Sequence, residues 1–276
     1  IAPLLVLKFA TASFTAYCYL QHHVKNSDYA LIGALLYAFS GFSTYNIFYN
    51  HFHEVIAFFP LLLLSVDLLM EEKARGFFAF SVLLNCLTNY FFFVGEVVFV
   101  VIYWIIKVIS RQWTVKFRHI ATIAFEGICG LLSASVLLIP ALMALTGNSR
   151  STDLYTGWNM LLYSNGQVFL YIIQSMFFMP ELPARPVFFP DAGVQWSSVS
   201  AWLPLFGMTG VLSFCMSNKR HWIKRLLVTC GVMALVPILN SAFVLFRDSY
   251  YARWFYMLTL MMVLATVMSL QYAKVD

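Results

Sequence analysis

Residues 94–109 read VGEVVFVVIYWIIKVI, an apolar stretch that carries charge at Glu96 and Lys107 alone. A helix of about 20 such residues crosses the roughly 30 Å hydrocarbon core of a membrane. Similar stretches recur along the 276 residues, of which 61% are hydrophobic and 11% are charged, with a mean hydropathy of +0.79. Soluble domains are about 25% charged. The composition therefore predicts an all-α, polytopic transmembrane helical bundle.

The apolar stretches divide into about nine predicted spans, separated by polar segments such as Asn26-Ser27-Asp28. The predicted spans cover residues 3–20, 30–48, 55–70, 77–93, 94–109, 120–145, 201–216, 222–239 and 252–270. They form a single transmembrane domain over residues 1–276, in which residues 146–200 are the one long connection. Polar residues interrupt its apolar segment 158–178, which predicts an interfacial or re-entrant helix. Because the sequence opens at Ile1 inside an apolar stretch, we expect the natural chain to begin further upstream.

Basic residues fall mostly on one side of this topology. If the segment around Lys25 lies in the cytoplasm, twelve lysines and arginines lie on the cytoplasmic side and four lie outside. The twelve are Lys25, Lys73, Arg75, Lys107, Arg111, Lys116, Arg118, Lys219, Arg220, Lys224, Arg225 and Lys274, and the four are Arg150, Arg185, Arg247 and Arg253. Cytoplasmic loops carry an excess of such residues, so residues 43–54, 89–96 and 146–200 are predicted to form the outer face. The net charge of +5 is spread over loops between spans and does not indicate nucleic-acid binding.

A polar cluster, Asn50-His51-Phe52-His53-Glu54, lies at this predicted outer face. Two histidines and a carboxylate offer ligands for a divalent cation, or a general base beside a positioning group. Side chains two positions apart point away from each other on a helix, however. The alternative is a short loop whose polar side chains are simply hydrated. The pattern assigns no metal site and no certain cofactor.

Ionisable residues inside predicted spans are further candidates, because a charge at membrane depth is costly. Lys8 can contact a lipid phosphate, or it can extend to the headgroups or pair with Glu54 or Glu96. Glu96 follows Gly95 at a predicted span start, where a carboxylate favours the helix N-terminus, so helix capping is its simplest role. Asp67 and Glu126 lie towards the opposite face and are interpreted as interhelical partners.

Arg150, Arg247 and Arg253, the last followed by Trp254, flank predicted span ends at the outer face. Guanidinium groups bind phosphate through forked hydrogen bonds, and the alternative is ordinary contact with lipid headgroups. Aromatic residues gather on the same side, where they form an interfacial belt or stack on a sugar ring. They are Tyr45, Tyr49, Tyr90, Tyr163, Trp196, Trp202, Tyr250 and Tyr251.

Several sequence blocks, taken in order, resemble one family. They are LYAFSGF at residues 36–42, residues 50–64 with Phe59-Pro60-Leu61, TNYFF at residues 88–92, Pro140 followed by Ser149-Arg150, and YARW at residues 251–254. Their order and spacing resemble the bacterial YfhO membrane proteins over nearly the whole chain. The resemblance implies a GT-C-type glycosyltransferase in the bacterial plasma membrane. Such an enzyme transfers a sugar from a polyprenyl-phosphate carrier to a cell-envelope polymer, such as a teichoic acid, at the outer face.

The sugar transfer that the resemblance implies assigns a role to each candidate residue. An inverting transfer needs a carboxylate that deprotonates the acceptor hydroxyl, and cations that stabilise the leaving polyprenyl phosphate. Glu54, or with less support Glu96, is the candidate base in this stretch, although the family's acidic catalytic residue usually lies in a first outer loop that would precede Ile1. The candidate phosphate ligands are Lys8, Arg150, Arg247 and Arg253, and the other candidate substrate-binding residues are Asn50, His51, His53, Glu96 and Trp254.

Two other functions stay open from the sequence. A transporter or flippase of a lipid-linked or small polar substrate should have inverted repeats and broken helices that meet at the midplane. The sequence has no persuasive internal repeat, and its charged candidates gather at one face. A non-catalytic scaffold would use the same polar clusters for hydration alone. The expected partners are membrane lipids, a polyprenyl-phosphate sugar donor and a polymer acceptor, with no nucleic acid.

Overall fold

A computed structural model describes residues 2–146, 160–181, 186–194, 196–205, 207–217, 220–246 and 250–272 of the chain. These described residues form thirteen α-helices joined by turns and short 3₁₀ helices, and no strand occurs among them. The helices are α1 (Ala2–His23), α2 (Ser27–Ala38), α3 (Gly41–Tyr45), α4 (His53–Met70), α5 (Phe77–Thr88), α6 (Tyr90–Ile109), α7 (Phe117–Ser133), α8 (Ser135–Thr146), α9 (Gln167–Phe177), α10 (Thr209–Ser217), α11 (Trp222–Leu235), α12 (Pro237–Ser241) and α13 (Phe255–Tyr272). The all-α prediction is confirmed.

Four of these helices, α1, α4, α6 and α13, are long and apolar enough to cross a membrane alone. Two bent pairs also qualify if each pair is one span. In the first pair, α7 and the start of α8 meet at 71°, and in the second, α11 and the segment Pro237–Val244 meet at 102°. The described part of the chain thus holds four to six candidate spans, and the larger predicted number stays a prediction.

The predicted boundary between the fourth and fifth spans is wrong by about one helical turn. Asn89 separates α5 from α6, because its side-chain oxygen accepts hydrogen bonds from the N–H groups of Phe91 and Phe92 at 3.2 and 3.4 Å. Asparagine is among the residues most favoured in this capping position. Glu96 therefore lies inside α6, about two turns from its start, and the helix-capping role predicted for it is wrong.

The predicted span over residues 201–216 is helical in its second half alone, because α10 begins at Thr209. The preceding residues, 201–205, are irregular but bonded within the protein. Ala201 donates its N–H to the Ser175 carbonyl at 3.0 Å, and Gly41 donates to the Trp202 carbonyl at 2.8 Å. Irregular backbone is tolerated at membrane depth where protein covers it.

Side-chain contacts fix the relative directions of the long helices. Lys8 near the start of α1 pairs with Glu54 at the start of α4, and His23 at the end of α1 lies against Asp67 near the end of α4. These two helices therefore run parallel, and α6 runs with them because its Lys107 also reaches Asp67. We call the two ends of the bundle the Glu54 end and the Asp67 end.

Helix α13 occupies the centre of the bundle and is buried from Phe255 to Met268. Glycines on its neighbours allow the close approach. A Cβ atom at Gly33 of α2 would meet Val267 at 2.6 Å, and one at Gly210 of α10 would overlap Thr266. Small residues permit such backbone proximity between membrane helices.

The helix predicted within the long connection is present as α9. It buries Val168, Tyr171 and Ile172 against the bundle and leaves Leu170 and Ile173 exposed, and its position at the membrane surface stays a prediction. Beyond it, the chain crosses the Glu54 end. There Ser198 donates to the Asn46 side chain at 2.8 Å, and the Ala252 N–H donates to the Ser197 carbonyl at 3.0 Å. These two hydrogen bonds hold residues 197–198 against Asn46 on one side and against the residues just before α13 on the other.

Candidate functional site

The Glu54 end holds an ion pair between the first turn of α4 and the second turn of α1. Two short 3₁₀ helices, Asn46–Phe48 and Asn50–Phe52, lead directly into α4, so that Glu54 lies in its first turn, where the helix dipole favours a carboxylate. The Lys8 Nζ atom lies 2.6 Å from Glu54 Oε1, with side-chain exposures of 8% and 35% respectively. Of the alternatives that the sequence left open for Lys8, the pairing with Glu54 is the one that the structure shows. The cation is enclosed while its carboxylate partner remains accessible.

The two neighbouring histidines point into different surroundings. His53 is buried, and its ring lies 4.9 Å from the ring of Phe9. His51 is exposed, with its ring 4.5 Å from that of Phe52. No group of three or more His, Cys, Asp or Glu residues in the described ranges is placed to hold a metal ion. The side chain of Asn50 lies outside the described part of the structure, so its predicted substrate contact stays a prediction.

Arg253 lies among aromatic rings at the same end of the bundle. Its guanidinium carbon is 4.1 Å from the ring centroid of Tyr251, 4.8 Å from that of Phe52 and 5.9 Å from that of Phe91. A guanidinium over an aromatic face is attracted by the ring quadrupole. Because Phe52 precedes Glu54 by two residues, this contact places Arg253 in the same region as the Lys8–Glu54 pair.

Trp254, the residue after Arg253, is packed inside the protein and contributes to the fold. Its ring is buried and stacked on that of Phe243 at 4.2 Å, and its Nε1–H donates to the Asn240 side-chain oxygen at 2.6 Å. These contacts join the beginning of α13 to α12. The predicted substrate contact of Trp254 stays a prediction, as do those of Arg150 and Arg247, which lie outside the described residues.

Glu96, the second candidate base, is fully buried. Its Oε1 atom accepts a hydrogen bond from the Tyr256 hydroxyl at 2.8 Å, which ties α6 to α13. The Tyr256 ring in turn packs against those of Phe42 and Phe59. A carboxylate enclosed in this way cannot meet an acceptor hydroxyl without rearrangement of the core. Of the two candidate bases, Glu54 is the accessible one.

An apolar groove of about 300 Å³ lies beside the irregular segment before α10. Its lining residues include Phe177, Trp202, Leu205, Met208 and Leu212. Contacts connect it to the ion pair. Phe9, next to Lys8, stacks on Phe39 with 5.1 Å between ring centroids, and Gly41, two residues later, donates to the Trp202 carbonyl.

A second charged network, at the Asp67 end, was only partly predicted from the sequence. Asp67 is fully buried and accepts hydrogen bonds from the Tyr103 hydroxyl at 2.9 Å and Lys107 Nζ at 2.8 Å, while His23 Nε2 lies 3.0 Å from it. The predicted interhelical role of Asp67 is confirmed. Lys107, predicted as a charge on the cytoplasmic side, is buried. The available signal was the position of both charges about one turn inside apolar stretches.

The fold and the distribution of charge define a helical membrane protein with a partly exposed ion pair, Lys8–Glu54, at the Glu54 end of its bundle. The chain belongs to the family described as bacterial membrane protein YfhO, which matches residues 1–276. The resemblance found in the sequence blocks is thereby confirmed. Comparison with curated proteins and with solved structures gave no match.

Proposed function

We propose that the protein is a GT-C-type membrane glycosyltransferase, which transfers a sugar from a polyprenyl-phosphate carrier to a cell-envelope polymer such as a teichoic acid. The observation that carries this proposal is the Lys8–Glu54 pair, in which a buried lysine holds a partly exposed carboxylate at 2.6 Å. Membership of the YfhO family supports the membrane location. The proposal includes the topology of about nine spans with the Glu54 end facing outward.

The proposed transfer needs a proton acceptor. The acceptor hydroxyl attacks the anomeric carbon of the sugar, the bond from that carbon to the carrier phosphate breaks, and the phosphate leaves with the bonding electrons. A carboxylate that takes the hydroxyl proton lowers the barrier. Of the two candidate bases, Glu54 is the one that is accessible. If the base instead lies upstream of Ile1, as the family resemblance implies, Glu54 positions Lys8 for the phosphate.

The leaving phosphate needs positive charge close by. Lys8 provides an ammonium that is already held within the protein, so little reorganisation is needed when a phosphate replaces or joins its carboxylate partner. Arg253 provides a guanidinium that lies over the rings of Phe52, Phe91 and Tyr251, and it is proposed as a second cation for the phosphate. Arg150 and Arg247 are proposed as further phosphate ligands.

The carrier also needs an apolar surface for its hydrocarbon tail. The groove lined by Phe177, Trp202, Leu205, Met208 and Leu212 offers one, and the contacts through Phe9, Phe39 and Gly41 connect it to the ion pair. Aromatic side chains at membrane interfaces present both an apolar body and a polar edge. The groove therefore supports a lipid-linked donor.

The test uses two conservative variants of the full-length protein in native membranes. Glu54→Gln should lower sugar transfer by about 10²- to 10⁴-fold if Glu54 is the base, and Lys8→Met should lower it by a similar factor by removing positive charge at the phosphate. The matched controls are Glu71→Gln and Lys73→Met, which break a pair of the same 2.6 Å length at the opposite end. They should leave transfer unchanged.

The results for the two variants distinguish a role of Glu54 as the base from a role of Lys8 as the phosphate ligand. Normal transfer by both Glu54→Gln and Lys8→Met, with normal membrane insertion, would contradict the proposed site. Normal transfer by Glu54→Gln with loss in Lys8→Met would leave the phosphate contact in place and assign the base to another residue.

A transporter or flippase is the second candidate, favoured by the two bent helix pairs at 71° and 102°, since broken helices are common in transporters. Proteoliposomes that carry a labelled lipid-linked sugar distinguish the two functions. A flippase would move the label between leaflets without any acceptor. A transferase would leave the label in place until an acceptor is supplied.

A further inference from the structure

A groove between α5 and α7 lies at the Asp67 end, away from the proposed catalytic region. Its volume is about 600 Å³. One wall comes from α7, where Arg118, Thr122, Phe125 and Cys129 recur every three or four residues and so share one face of the helix. Arg75, just before α5, lines the other side. The groove thus has arginines at the helix starts and apolar residues about 10–16 Å further along α7.

The acidic groups nearest to these arginines already have partners. Glu126 accepts hydrogen bonds from the backbone N–H groups of Gly76 at 2.8 Å and Ala79 at 3.4 Å. It thereby caps the start of α5, which confirms its predicted interhelical role. Glu72 Oε1 lies 2.9 Å from His119 Nε2. Neither carboxylate lies within ion-pair distance of Arg75 or Arg118 among the described residues, although Glu72 lines an adjoining pocket with both arginines and interacts electrostatically with Arg118.

The two arginines themselves are available to a ligand. Arg75 and Arg118 are both exposed, and neither forms an ion pair within the ranges that the structure describes. Lys116, just before α7, is exposed and adds charge beside them. Further along α7, the exposed apolar side chains of Phe125 and Leu132 present 68% and 66% of their surface.

We propose that this groove binds one anionic phospholipid, with its phosphate between Arg75 and Arg118 and an acyl chain along the Phe125 face of α7. Two guanidinium groups match a phosphate through forked hydrogen bonds, and the apolar face continues in the direction that an acyl chain would take. The predicted orientation places this lipid in the cytoplasmic leaflet, where anionic lipids attract basic segments. The site is independent of the proposed sugar transfer.

Such a lipid would bridge two helices at the edge of the bundle. Helices α5 and α7 already approach closely, because a Cβ atom at Gly130 would meet the Ala79 carbonyl oxygen at 2.6 Å. A phosphate bound to both Arg75 and Arg118 would hold together the ends of the same two helices. The lipid is thus expected to act as a structural partner of α7.

Native mass spectrometry of the full-length protein provides the test, after incubation in detergent with equal amounts of phosphatidylglycerol and phosphatidylcholine. The wild type should retain one phosphatidylglycerol in preference to phosphatidylcholine. Each basic residue contributes about fivefold to such binding, so Arg75→Gln with Arg118→Gln should weaken it by about 25-fold. The control, Arg111→Gln with Arg220→Gln, removes two exposed charges from the same end outside the groove and should retain the lipid.

A second variant tests the groove separately from its charge. Ala121→Trp fills the groove between the arginines and Phe125 without altering any charge, and should also abolish retention. Equal loss in the Arg111/Arg220 control would overturn the proposal in favour of diffuse attraction. Retention by Ala121→Trp, or a wild type without preference for phosphatidylglycerol, would overturn it as well.

Discussion

Helix α4 carries a carboxylate near each end, and each carboxylate faces a buried lysine, yet the two pairs are enclosed to different degrees. Asp67 is fully buried, bonded to Tyr103 and Lys107 and close to His23. The Lys107 ammonium is also surrounded by three rings, those of Tyr103, Trp113 and Trp222, at 4.8, 4.6 and 4.7 Å from their centroids. Glu54, by contrast, has 35% of its side chain exposed.

This difference in burial indicates that Asp67 stabilises the fold, whereas Glu54 is placed to react with a substrate. A charge removed from water is tolerated when several partners replace its hydration, and Asp67 has such partners on two neighbouring helices, α1 and α6. Such a group cannot exchange partners without leaving another charge unpaired. Glu54, by contrast, is partly exposed, so water or a substrate can reach its carboxylate while Lys8 stays in contact with it. This contrast is the reason for placing the proposed chemistry at the Glu54 end, and it can be tested by breaking each pair.

The largest effect is expected from Asp67→Ala, which leaves Lys107 buried without its counter-ion. Removing one partner of a buried pair costs about 3–5 kcal/mol. Thermal unfolding in detergent, followed by circular dichroism, should show a large fall in stability, and the yield of folded protein should fall with it. The double variant Asp67→Leu, Lys107→Met should recover much of the loss, since no charge then remains unpaired. A small effect of Asp67→Ala would contradict the structural role.

A smaller effect is expected from Trp254→Phe at the Glu54 end. The change keeps the ring that stacks on Phe243 but removes the N–H that Asn240 accepts. An unsatisfied buried acceptor costs about 1–3 kcal/mol, and Asn240 is fully buried. The same unfolding measurement checks it, with Trp196→Phe, at an exposed ring, as the control. Equal stabilities of the two variants would show that the hydrogen bond contributes little.

Glu54→Gln should lower stability by much less than Asp67→Ala, by about 1 kcal/mol, because the glutamine amide oxygen can still accept a hydrogen bond from the buried Lys8 ammonium. Its effect on sugar transfer should be much larger than its effect on unfolding. That separation sharpens the contrast with Asp67, for which the loss of activity should follow the loss of folded protein. If Glu54→Gln unfolded the protein as strongly as Asp67→Ala, the two ends would have to be regarded as equally structural.

The smallest effect concerns Glu71, outside the spanning helices at the Asp67 end. Partial burial raises the pKa of Glu71, but hydrogen bonds from Lys73 and His22 outweigh it and leave the pKa below its ordinary value. The contribution to stability is therefore present above the unfolded pKa of about 4.3 and is lost as the pH falls through the lower folded pKa. Glu71→Gln should flatten this acid dependence by a few tenths of a kcal/mol, as measured by unfolding between pH 6 and 3.

The sequence was sufficient for the helical class and for several charge partners, because a charge inside an apolar stretch must be compensated. That argument predicted the interhelical roles of Asp67 and Glu126, and it included the Lys8–Glu54 pair among the alternatives for Lys8. It could not reveal the irregular segment before α10, since residues 201–205 are as apolar as a span. Pro204 was the available signal, because proline disrupts a helix interior. Likewise, Asn89 before Tyr90 indicated the start of α6.

Contacts between distant parts of the chain could not be predicted from the sequence. The bond from Ser198 to Asn46 joins residues 152 positions apart, and no periodicity encodes such a pairing. The position of Glu96 opposite Tyr256 depends on two helices that are far apart along the chain. The sequence could therefore propose both carboxylates as bases, whereas their different accessibility required the packed structure.

The central position of α13 constrains the order in which the bundle can be completed during synthesis. Ribosomes release a chain from its N-terminus, and early segments begin to fold before later ones emerge. Helices α1, α2, α4, α10 and α11, all of which contact α13, leave the ribosome before it does. Until α13 enters the membrane, Gly33 and Gly210 face an unfilled space. The surfaces of these helices that α13 covers are therefore completed only after most of the described chain has been translated.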